Sequence, residues 1–250
     1  ILHLTGDVVG LLDALGEQTA VVAGHDWGAP VAWQSALYRP DRFRAVIGLS
    51  VPYLPRGPVR PTTVMPENEH GVFYQTYFQK PGVAEAELEQ DPRTSLRKIL
   101  YNASGDATAM GTFAGSELAG LVPRNGGLLT QMVDPDPLPA WLTEADIDFY
   151  AGEFQRAGFR GGLNWYRNVD RNWELTGAYA GALITIPALF AAGERDVVVA
   201  FRGVRELIDN LSVFVPKLRR TLLLPGCGHW TQQERPTEVN GAMIEFLRGL

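Results

Sequence analysis

Residues 24–28, Gly-His-Asp-Trp-Gly, decide the fold, because they stand where a strand is expected to turn directly into a helix. Residues 19–23 before them form a short β-branched apolar run, typical of a strand buried on both faces. Residues 28–38 after them have small side chains at helical spacing and are closed by Pro40. Glycine on both sides of so tight a turn removes Cβ atoms that would clash, so we expect the apex side chain, Asp26, to be forced into the open.

Aspartate at this apex has a chemical meaning. A carboxylate is already an anion at neutral pH, so Asp26 could displace a leaving group at a saturated carbon without a base to activate it. The pentapeptide alone also suits an ordinary turn that contains aspartate. The choice between the two interpretations depends on the rest of the chain.

The remaining α/β pattern predicts a parallel sheet covered by helices. Further strands are predicted at residues 45–50, 187–192 and 221–224, and helices at residues 5–15, 204–211 and 237–250. The apolar face predicted for the first helix consists of Val8, Leu11, Leu12 and Leu15, and that of the last helix of Val239, Met243, Phe246 and Leu247.

Residues 51–178 interrupt this rhythm, and we expect them to form an inserted helical lid on a core made of residues 1–50 and 179–250. The lid is rich in apolar side chains, which predicts a hydrophobic pocket. These side chains include Phe73, Phe78, Leu118, Leu163 and Trp165.

Within the lid, helical patterns occupy residues 83–100 and 144–156. Residues 52–66 are too rich in proline for regular structure. Residues 120–139 are rich in glycine and proline and predict a long loop.

Asp196 and His229 each follow a predicted strand directly, within Gly-Glu-Arg-Asp and Gly-Cys-Gly-His-Trp. Catalytic groups of open parallel sheets lie at the carboxyl ends of strands. Asp26, Asp196 and His229 occupy such ends, in the chain order nucleophile, acid, histidine. Asp196 also suits the N-cap of the segment after it, and Glu194 is the fallback for the acid.

These motifs resemble the epoxide hydrolase branch of the α/β-hydrolase superfamily, over essentially the whole chain. The similar segments are His-Asp-Trp-Gly at 25–28, Cys-Gly-His-Trp-Thr-Gln at 227–232 and Pro-Thr-Glu-Val-Asn at 236–240. The resemblance implies an α/β-hydrolase fold, in which a mostly parallel sheet carries helices on both faces and an inserted helical lid.

Two lid segments, residues 73–82 and 162–168, resemble those that deliver the two epoxide-binding tyrosines of that family. By position these are Tyr74 and Tyr166. Two phenols suit the task because opening an epoxide places negative charge on oxygen, and phenol donors stabilise that charge as it forms. The alternative is that both tyrosines only pack at the lid seam, and Tyr77 is the rival of Tyr74.

The resemblance implies a two-step mechanism. Asp26 attacks an epoxide carbon while Tyr74 and Tyr166 hold the oxygen, which gives an ester on the enzyme. His229, held by Asp196, then activates the water that hydrolyses the ester and releases a vicinal diol.

The neighbours of Asp26 have supporting roles in this interpretation. Trp27 is expected to line the pocket with Trp165 and, through its backbone N–H, to form half of the oxyanion hole. His25 is expected to pack or hydrogen-bond beside the turn and to do no chemistry.

A haloalkane or haloacid dehalogenase is the nearest alternative, since it also uses aspartate followed by tryptophan. Halide release needs N–H donors, and Asn164, Trp165 and Trp173 leave this alternative open. The tyrosine segments argue against it.

The resemblance begins in the middle of the fold, at the helix of residues 5–15. The earlier strands of the family are absent from the 250 residues, and so is the His-Gly-x-Pro loop that supplies a second oxyanion donor. We therefore expect the natural protein to be longer by roughly 100 residues. An inactive fragment or a pseudoenzyme that binds a small molecule is the alternative from another class.

Composition and charge exclude several other classes. The net charge is −6 and the basic residues are scattered, so no nucleic-acid partner is expected. No apolar run could span a membrane, and Cys227 has no cysteine partner, so we expect a soluble, cytoplasmic protein. The four histidines are spread too widely for a metal, and no cofactor motif occurs. The expected partners are a small hydrophobic epoxide and water, and lid-mediated dimers of the family leave a homodimer open.

Overall fold

The fold is an α/β core with a helical insertion, and the computed structural model describes residues 1–107 and 120–250 of it. The strands are β1 (Ala20–His25), β2 (Phe43–Leu49), β3 (Gly71–Phe73), β4 (Leu121–Pro123), β5 (Ala188–Gly193) and β6 (Leu218–Leu224). The helices are α1 (Leu2–Leu15), α2 (Gly28–Tyr38), α3 (Tyr74–Tyr77), α4 (Val83–Leu88), α5 (Pro92–Asn102), α6 (Glu144–Ala157), α7 (Arg160–Arg167), α8 (Val169–Leu175), α9 (Val197–Ala200), α10 (Val204–Asp209), α11 (Leu211–Phe214), α12 (Thr231–Glu234) and α13 (Pro236–Arg248). Leu118 of the expected lid lies outside the described residues.

A parallel sheet in the order β1-β2-β5-β6 forms the centre of the core. Side chains of β2 alternate between its faces, so that Val46 packs with α2 on one side and Ile47 packs with α13 on the other. Both faces are thus covered by helices, and the predicted helix-covered parallel sheet is confirmed. Because the strands are parallel, their carboxyl ends meet at one edge, where β1, β2, β5 and the segment after β6 deliver the site.

The outer helices bury less of their predicted apolar faces than expected. In α1, Leu12 is buried, but Leu11 and Leu15 are 58% and 65% exposed. In α13, Leu247 is 40% exposed, whereas Val239 is buried. Each helix touches one layer only, so the side chains at the edge of the apolar stripe reach solvent.

The predicted helix of residues 83–100 is two helices, α4 and α5. Pro92 cannot continue a helix that began before it, because it lacks the N–H that the next hydrogen bond needs. Asp91 instead caps α5, with its carboxylate accepting from the N–H of Thr94 at 3.2 Å. The two helices are therefore separate elements with separate caps.

The predicted loop of residues 120–139 holds regular structure as well. β4 pairs antiparallel with β3, and a 3-10 turn follows at Leu128–Gln131. A second 3-10 turn, Pro61–Val64, lies in the proline-rich segment expected to have none. The sequence patterns also missed α7 and α8 entirely. Short elements of this kind depend on tertiary partners more than on their own periodicity.

The insertion has an apolar cluster of its own. It lies among α3 to α7 and is separate from the two clusters that flank the sheet. Its buried members are Phe78, Ala84, Leu88, Leu96, Val122, Leu128, Met132, Ala151, Phe159 and Leu163. Tyr74 and Tyr166 pack against this cluster, so the insertion fixes where both tyrosines stand.

Candidate active site

The turn after β1 holds Asp26 in a strained conformation. Its φ is 52°, a region that costs a non-glycine residue on the order of 1–3 kcal/mol. A Cβ on Gly24 would overlap the carbonyl oxygen of Gly28, so glycine is required at residue 24. A Cβ on Gly28 would meet nothing within 4 Å. The expectation that both glycines relieve a clash is therefore wrong for Gly28. Gly28 instead contributes the carbonyl oxygen that leaves no room for a Cβ on Gly24.

Asp26, His229 and Asp196 lie in one hydrogen-bonding row. The Nε2 atom of His229 is 3.3 Å from Oδ2 of Asp26, and its Nδ1 atom is 3.2 Å from Oδ1 of Asp196. Asp196 is fully buried and also accepts from the N–H of Val198 at 2.9 Å, which caps α9. The two expected roles of Asp196, cap and orienter, are compatible. Glu194 is exposed and cannot replace it.

Ser50 is a member of this row that the sequence reasoning missed. Its Oγ atom is 3.1 Å from Nδ1 of His229, and the residue is fully buried with φ at 70°. Ser50 follows β2 directly, as Asp26 follows β1. The rule that reactive groups lie at strand ends could have found it, but serine is too common in such places to stand out.

The charges of the row decide its protonation. Burial would lower the pKa of His229, but the negative charges and hydrogen bonds of Asp196 and Asp26 outweigh it and raise that pKa to about 10. Burial would raise the pKa of Asp26, yet the hydrogen bond and charge of His229 and the N–H of Trp27 lower it overall. These shifts favour a protonated His229 beside an ionised Asp26 in the free site.

Glu234 holds the loop that carries His229. Its buried carboxylate accepts the backbone N–H groups of Gly105, Gly228 and Trp230 at 2.9, 2.8 and 3.0 Å. Three charge-assisted bonds to one carboxylate fix the backbone on both sides of the histidine. Gly105 belongs to the segment after α5, so the same carboxylate also ties the insertion to the core.

Close backbone contact reinforces this tie. The N–H of His229 donates to the carbonyl oxygen of Ala103 at 2.9 Å. A Cβ on Gly228 would overlap the backbone of Gly105, and a Cβ on Gly105 would overlap the carbonyl oxygen of Gly226. The segment 103–105 and the histidine loop therefore pack backbone against backbone.

Tyr74 and Tyr166 meet above Asp26. Their rings lie edge to face with centroids 5.5 Å apart, and both line the cavity that Asp26 and His229 also line. Tyr77 differs, because its hydroxyl donates to Oε2 of Glu87 at 2.7 Å. The geometry thus favours Tyr74 over its rival as a group facing Asp26.

Other aromatic residues pack beside the turn that carries Asp26. Trp27 contacts Trp165 with ring centroids 5.9 Å apart and Tyr166 edge to face at 5.3 Å. His25 forms a 2.7 Å hydrogen bond from Nε2 to the carbonyl oxygen of His229. His25 thereby supports the backbone of the histidine loop.

Two of the three halide-donor candidates are placed elsewhere. Asn164 is exposed, and its Oδ1 accepts from Arg167 at 3.1 Å. The indole N–H of Trp173 donates to the carbonyl oxygen of Gly57 at 2.8 Å. Only Trp165 of the three stands beside the cavity, so among the described residues these candidates supply no pair of N–H donors for a halide.

Two cavities meet at Asp26, with volumes of about 570 and 210 Å³. Asp26, Tyr166, Ile99 and Trp230 border both. The larger cavity has mostly apolar walls that include Leu96, Leu100, Phe154, Phe159 and Leu163. The walls of the smaller one include Phe78, Leu128, Met132, Val197 and Val198. The site is suited to an apolar molecule that extends to both sides of the carboxylate.

Two other kinds of feature are missing from residues 1–107 and 120–250. No helix there is long and apolar enough to cross a membrane. No group of three or more histidine, cysteine, aspartate or glutamate side chains there is arranged to hold a metal ion.

Sequence comparisons relate the chain to known hydrolases. The family of the alpha/beta hydrolase fold matches residues 3–236. Epoxide hydrolase A of Mycobacterium tuberculosis is 45% identical over 253 residues, which cover 100% of this chain and 75% of that protein. Epoxide hydrolase B of the same organism is 38% identical, with 100% of this chain and 78% of that protein covered.

Solved structures give the same result. An epoxide hydrolase from an endophytic Streptomyces superimposes with a TM-score of 0.91 at 45% identity, covering 98% of this chain and 72% of that one. Potato (Solanum tuberosum) epoxide hydrolase I gives a TM-score of 0.86 at 36% identity, covering 100% and 76%. The chain belongs to the epoxide hydrolases, hydrolases of ether bonds that have the α/β-hydrolase fold.

Proposed function

We propose that the chain hydrolyses a hydrophobic epoxide to a vicinal diol through a covalent ester on Asp26. The observation that carries this proposal is one cavity bordered by a carboxylate and two phenol side chains, those of Tyr74 and Tyr166. A carboxylate supplies the nucleophile, and phenols supply protons to the oxygen that leaves carbon. The relatives named above support the same substrate class.

The first step forms the ester. A carboxylate oxygen of Asp26 bonds to one epoxide carbon, and the bond from that carbon to the epoxide oxygen breaks. The oxygen keeps the electron pair and takes a proton from Tyr74 or Tyr166, which leaves a phenolate. Asp26 needs no base, because its pKa is lowered and it is already ionised. His229 is idle in this step.

The second step follows from the change of charge at Asp26. The ester is neutral, so His229 loses one of the two carboxylates that raise its pKa. It therefore releases its proton to solvent, acts as a neutral base, and regains a proton from solvent once Asp26 is ionised again. It takes a proton from water while the water oxygen attacks the ester carbonyl, whose developing charge the N–H of Trp27 faces. The proton then passes to the departing alcohol oxygen, and the acid proton formed on Asp26 restores the phenol through solvent.

The two cavities suggest the shape of the substrate. An epoxide placed between Asp26 and the tyrosines would direct one substituent into each apolar cavity. The larger substituent fits the 570 Å³ side and the smaller one the 210 Å³ side. Burial of both would contribute about 25 cal/mol per Å² of apolar surface, which favours epoxides of lipid, terpene or xenobiotic type.

The test traps the ester. The His229→Gln variant is incubated with styrene oxide and, separately, with 1-chlorobutane, and its intact mass and peptide map are recorded. We expect the mass of the peptide that contains Asp26 to increase by the mass of one styrene oxide molecule, because hydrolysis of the ester is blocked. His70→Gln is the matched control: His70 is exposed on the surface, so turnover there continues and no adduct accumulates.

Other outcomes select the alternatives. An adduct from 1-chlorobutane alone indicates a dehalogenase. A folded variant with no adduct from either compound contradicts the covalent mechanism and favours a binding role.

A further inference from the structure

The hydroxyl of Tyr74 has a hydrogen-bond donor of its own. The side-chain amide N–H of Gln75 donates to Oη of Tyr74 at 2.9 Å. Tyr166 also hydrogen-bonds with Tyr74. The oxygen of Tyr74 thus accepts the amide N–H on one side, which leaves the other side for its own O–H.

We propose that Gln75 is a positioning residue for epoxide opening, which aims the O–H of Tyr74 at the epoxide oxygen by occupying the other side of the phenol oxygen. This inference rests on the proposed function. It adds a residue that the sequence motifs do not single out and that borders neither cavity at Asp26.

The geometry of a phenol explains how an amide can do this. A phenol O–H prefers the ring plane and has two orientations in it, on opposite sides of the oxygen. An N–H that points at one side excludes the hydrogen from that side, since two donors would meet. The hydroxyl is then held in the remaining orientation before the substrate arrives, which lowers the cost of ordering it.

The same contact changes the acidity of the phenol. Burial raises the pKa of Tyr74, and the hydrogen bond from Gln75 opposes that rise because it favours the phenolate. A donor that becomes a phenolate during epoxide opening benefits from that bond most when the charge develops.

A different residue, Gln79, holds the segment of Tyr74 in place, so this structural role does not fall on Gln75. The amide of Gln79 donates to the backbone carbonyl oxygens of Gln75 and Tyr166, both at 2.8 Å. This bridge joins the segment of Tyr74 to α7 through backbone atoms. The side chain of Gln75 can therefore change without breaking the bridge.

The experiment measures alkylation alone, in the His229→Gln background, from the rate at which styrene oxide adds to the protein. Gln75→Leu removes the donor, and we expect alkylation to slow about 10-fold, the effect of one hydrogen bond in the transition state. Gln75→Glu reverses the bond, because a carboxylate accepts the O–H of Tyr74 and turns it from the epoxide. We expect a larger loss, about 100-fold.

The pH profile of alkylation distinguishes an effect on the orientation of the Tyr74 hydroxyl from an effect on packing around Gln75. Protonation of the carboxylate introduced by Gln75→Glu would make that side chain a donor again, so this variant should recover alkylation as the pH falls, whereas Gln75→Leu should not. Because His229→Gln removes the imidazole that lowers the pKa of Asp26, the parent His229→Gln protein is measured over the same pH range, and recovery is judged from the ratio of the variant rate to the parent rate. Gln90→Glu and Gln90→Leu are the matched controls, since Gln90 is exposed in the same insertion, and both should alkylate at the parent rate.

A double-mutant cycle tests whether Gln75 acts through the hydroxyl of Tyr74. In a Tyr74→Phe background, Gln75→Leu should have no further effect on alkylation, because the hydroxyl through which it acts is gone. An equal loss in both backgrounds, or no loss in either, overturns the inference while the proposed function stands. Absence of the styrene oxide adduct in the parent His229→Gln protein overturns the proposed function and this inference together.

Discussion

Ser50 combines two properties, a left-handed backbone and a hydroxyl beside the proposed catalytic base. The backbone conformation is unfavourable for any residue with a Cβ. The hydroxyl is a second acceptor for the Nδ1–H of His229, beside the carboxylate of Asp196. Each property can be removed without the other, so their effects can be told apart.

Ser50→Ala and Ser50→Gly should share a kinetic defect and differ in stability. Both lose the hydroxyl, and we expect ester hydrolysis to slow about 3- to 10-fold while alkylation is unchanged. Ser50→Gly relieves the backbone and should be more stable than Ser50→Ala by about 1 kcal/mol. Single-turnover kinetics with styrene oxide and urea unfolding measure the two effects. Equal slowing of alkylation would contradict a role limited to the histidine.

The charge of Asp26 should set the pH dependence of ester hydrolysis. In the free enzyme the pKa of His229 is raised to about 10 by Asp196 and Asp26 against the effect of burial. In the ester Asp26 is neutral, so the pKa of His229 falls, and hydrolysis should rise with pH through a midpoint below that value. Decay of the ester in rapid-quench experiments gives the midpoint.

A variant without the ester provides the comparison. Asp26→Asn removes the same charge, so NMR titration of His229 should give a lower pKa in that variant than in the parent enzyme. Equal values in the two proteins would mean that Asp26 does not control the histidine.

At this scale the sequence predicted the row of Asp26, His229 and Asp196 but not its surroundings. Each of the three follows a predicted strand, and the chain order of residue types is informative. Ser50 gave only the weak signal of its place at a strand end, and Gln75 gave none, because their roles depend on a backbone dihedral angle and on a contact to one neighbouring hydroxyl. Neither property has a local residue pattern.

Among the elements, α4 and α7 are joined by a buried ion pair. Arg167 donates from both terminal nitrogens to Glu85 at 2.8 and 2.9 Å, and its Nε–H donates to the carbonyl oxygen of Phe78 at 2.9 Å. Both side chains are about nine-tenths buried. Arg167 follows Tyr166 directly, so this pair fixes α7 at the level of the proposed epoxide-binding hydroxyls.

Arg167→Gln should destabilise the protein by about 3 kcal/mol, because it leaves the buried carboxylate of Glu85 with only a 3.6 Å contact to the exposed Arg160 and the N–H of Gly82. Arg93→Gln, which opens an exposed pair with Glu144, should cost less than about 1 kcal/mol. Thermal and urea unfolding give both values. Similar losses in the two variants would show that burial of the first pair is unimportant.

The pH dependence of this pair has a defined sign. The hydrogen bond from Arg167 lowers the pKa of Glu85 from 4.5 to about 2. The folded-state value lies below the unfolded one, so the pair contributes fully above pH 4.5 and its contribution is lost as the pH falls toward 2. In Arg167→Gln that part of the acid sensitivity should disappear.

Elements of the core were easier to predict than those of the insertion. β2, β5 and α2 are buried runs with clear ends, and hydrophobic pattern alone placed them within a few residues. α7 was missed because Gly161 and Gly162 make its sequence a poor helix on its own. Its place is determined by partners that are distant in sequence, such as Glu85.

In the whole molecule, the insertion and the core are joined at the catalytic loop itself. The backbone of Gly105 packs against that of Gly228 and shares the carboxylate of Glu234 with it. A shift of the insertion at this joint would therefore move the histidine. The domain limits expected at residues 51 and 178 stay a prediction.

Gly105→Ala should impair ester hydrolysis more than alkylation. Its Cβ would overlap the carbonyl oxygen of Gly226 and push the histidine loop away from Asp26, which affects the step that needs His229. We expect a loss of about 10- to 100-fold in ester hydrolysis.

Gly152→Ala is the control, since nothing lies within 4 Å of its Cβ in α6. It should leave both steps intact and stabilise the helix by about 0.5–1 kcal/mol. An unchanged rate of ester hydrolysis in Gly105→Ala would mean that the backbone at Gly105 can shift without moving His229.

This backbone contact also limits how the protein can be recombined with its relatives. An insertion exchanged for another, in order to change the range of epoxides accepted, brings its own backbone at residues 103–105, which lie inside the insertion. Since segment 103–105 is hydrogen-bonded to His229 and packed against Gly228, a chimera should keep these three residues from the recipient and begin the foreign segment after them. A crossover placed earlier, in the loops that follow β2, would exchange the support of the catalytic histidine together with the pocket.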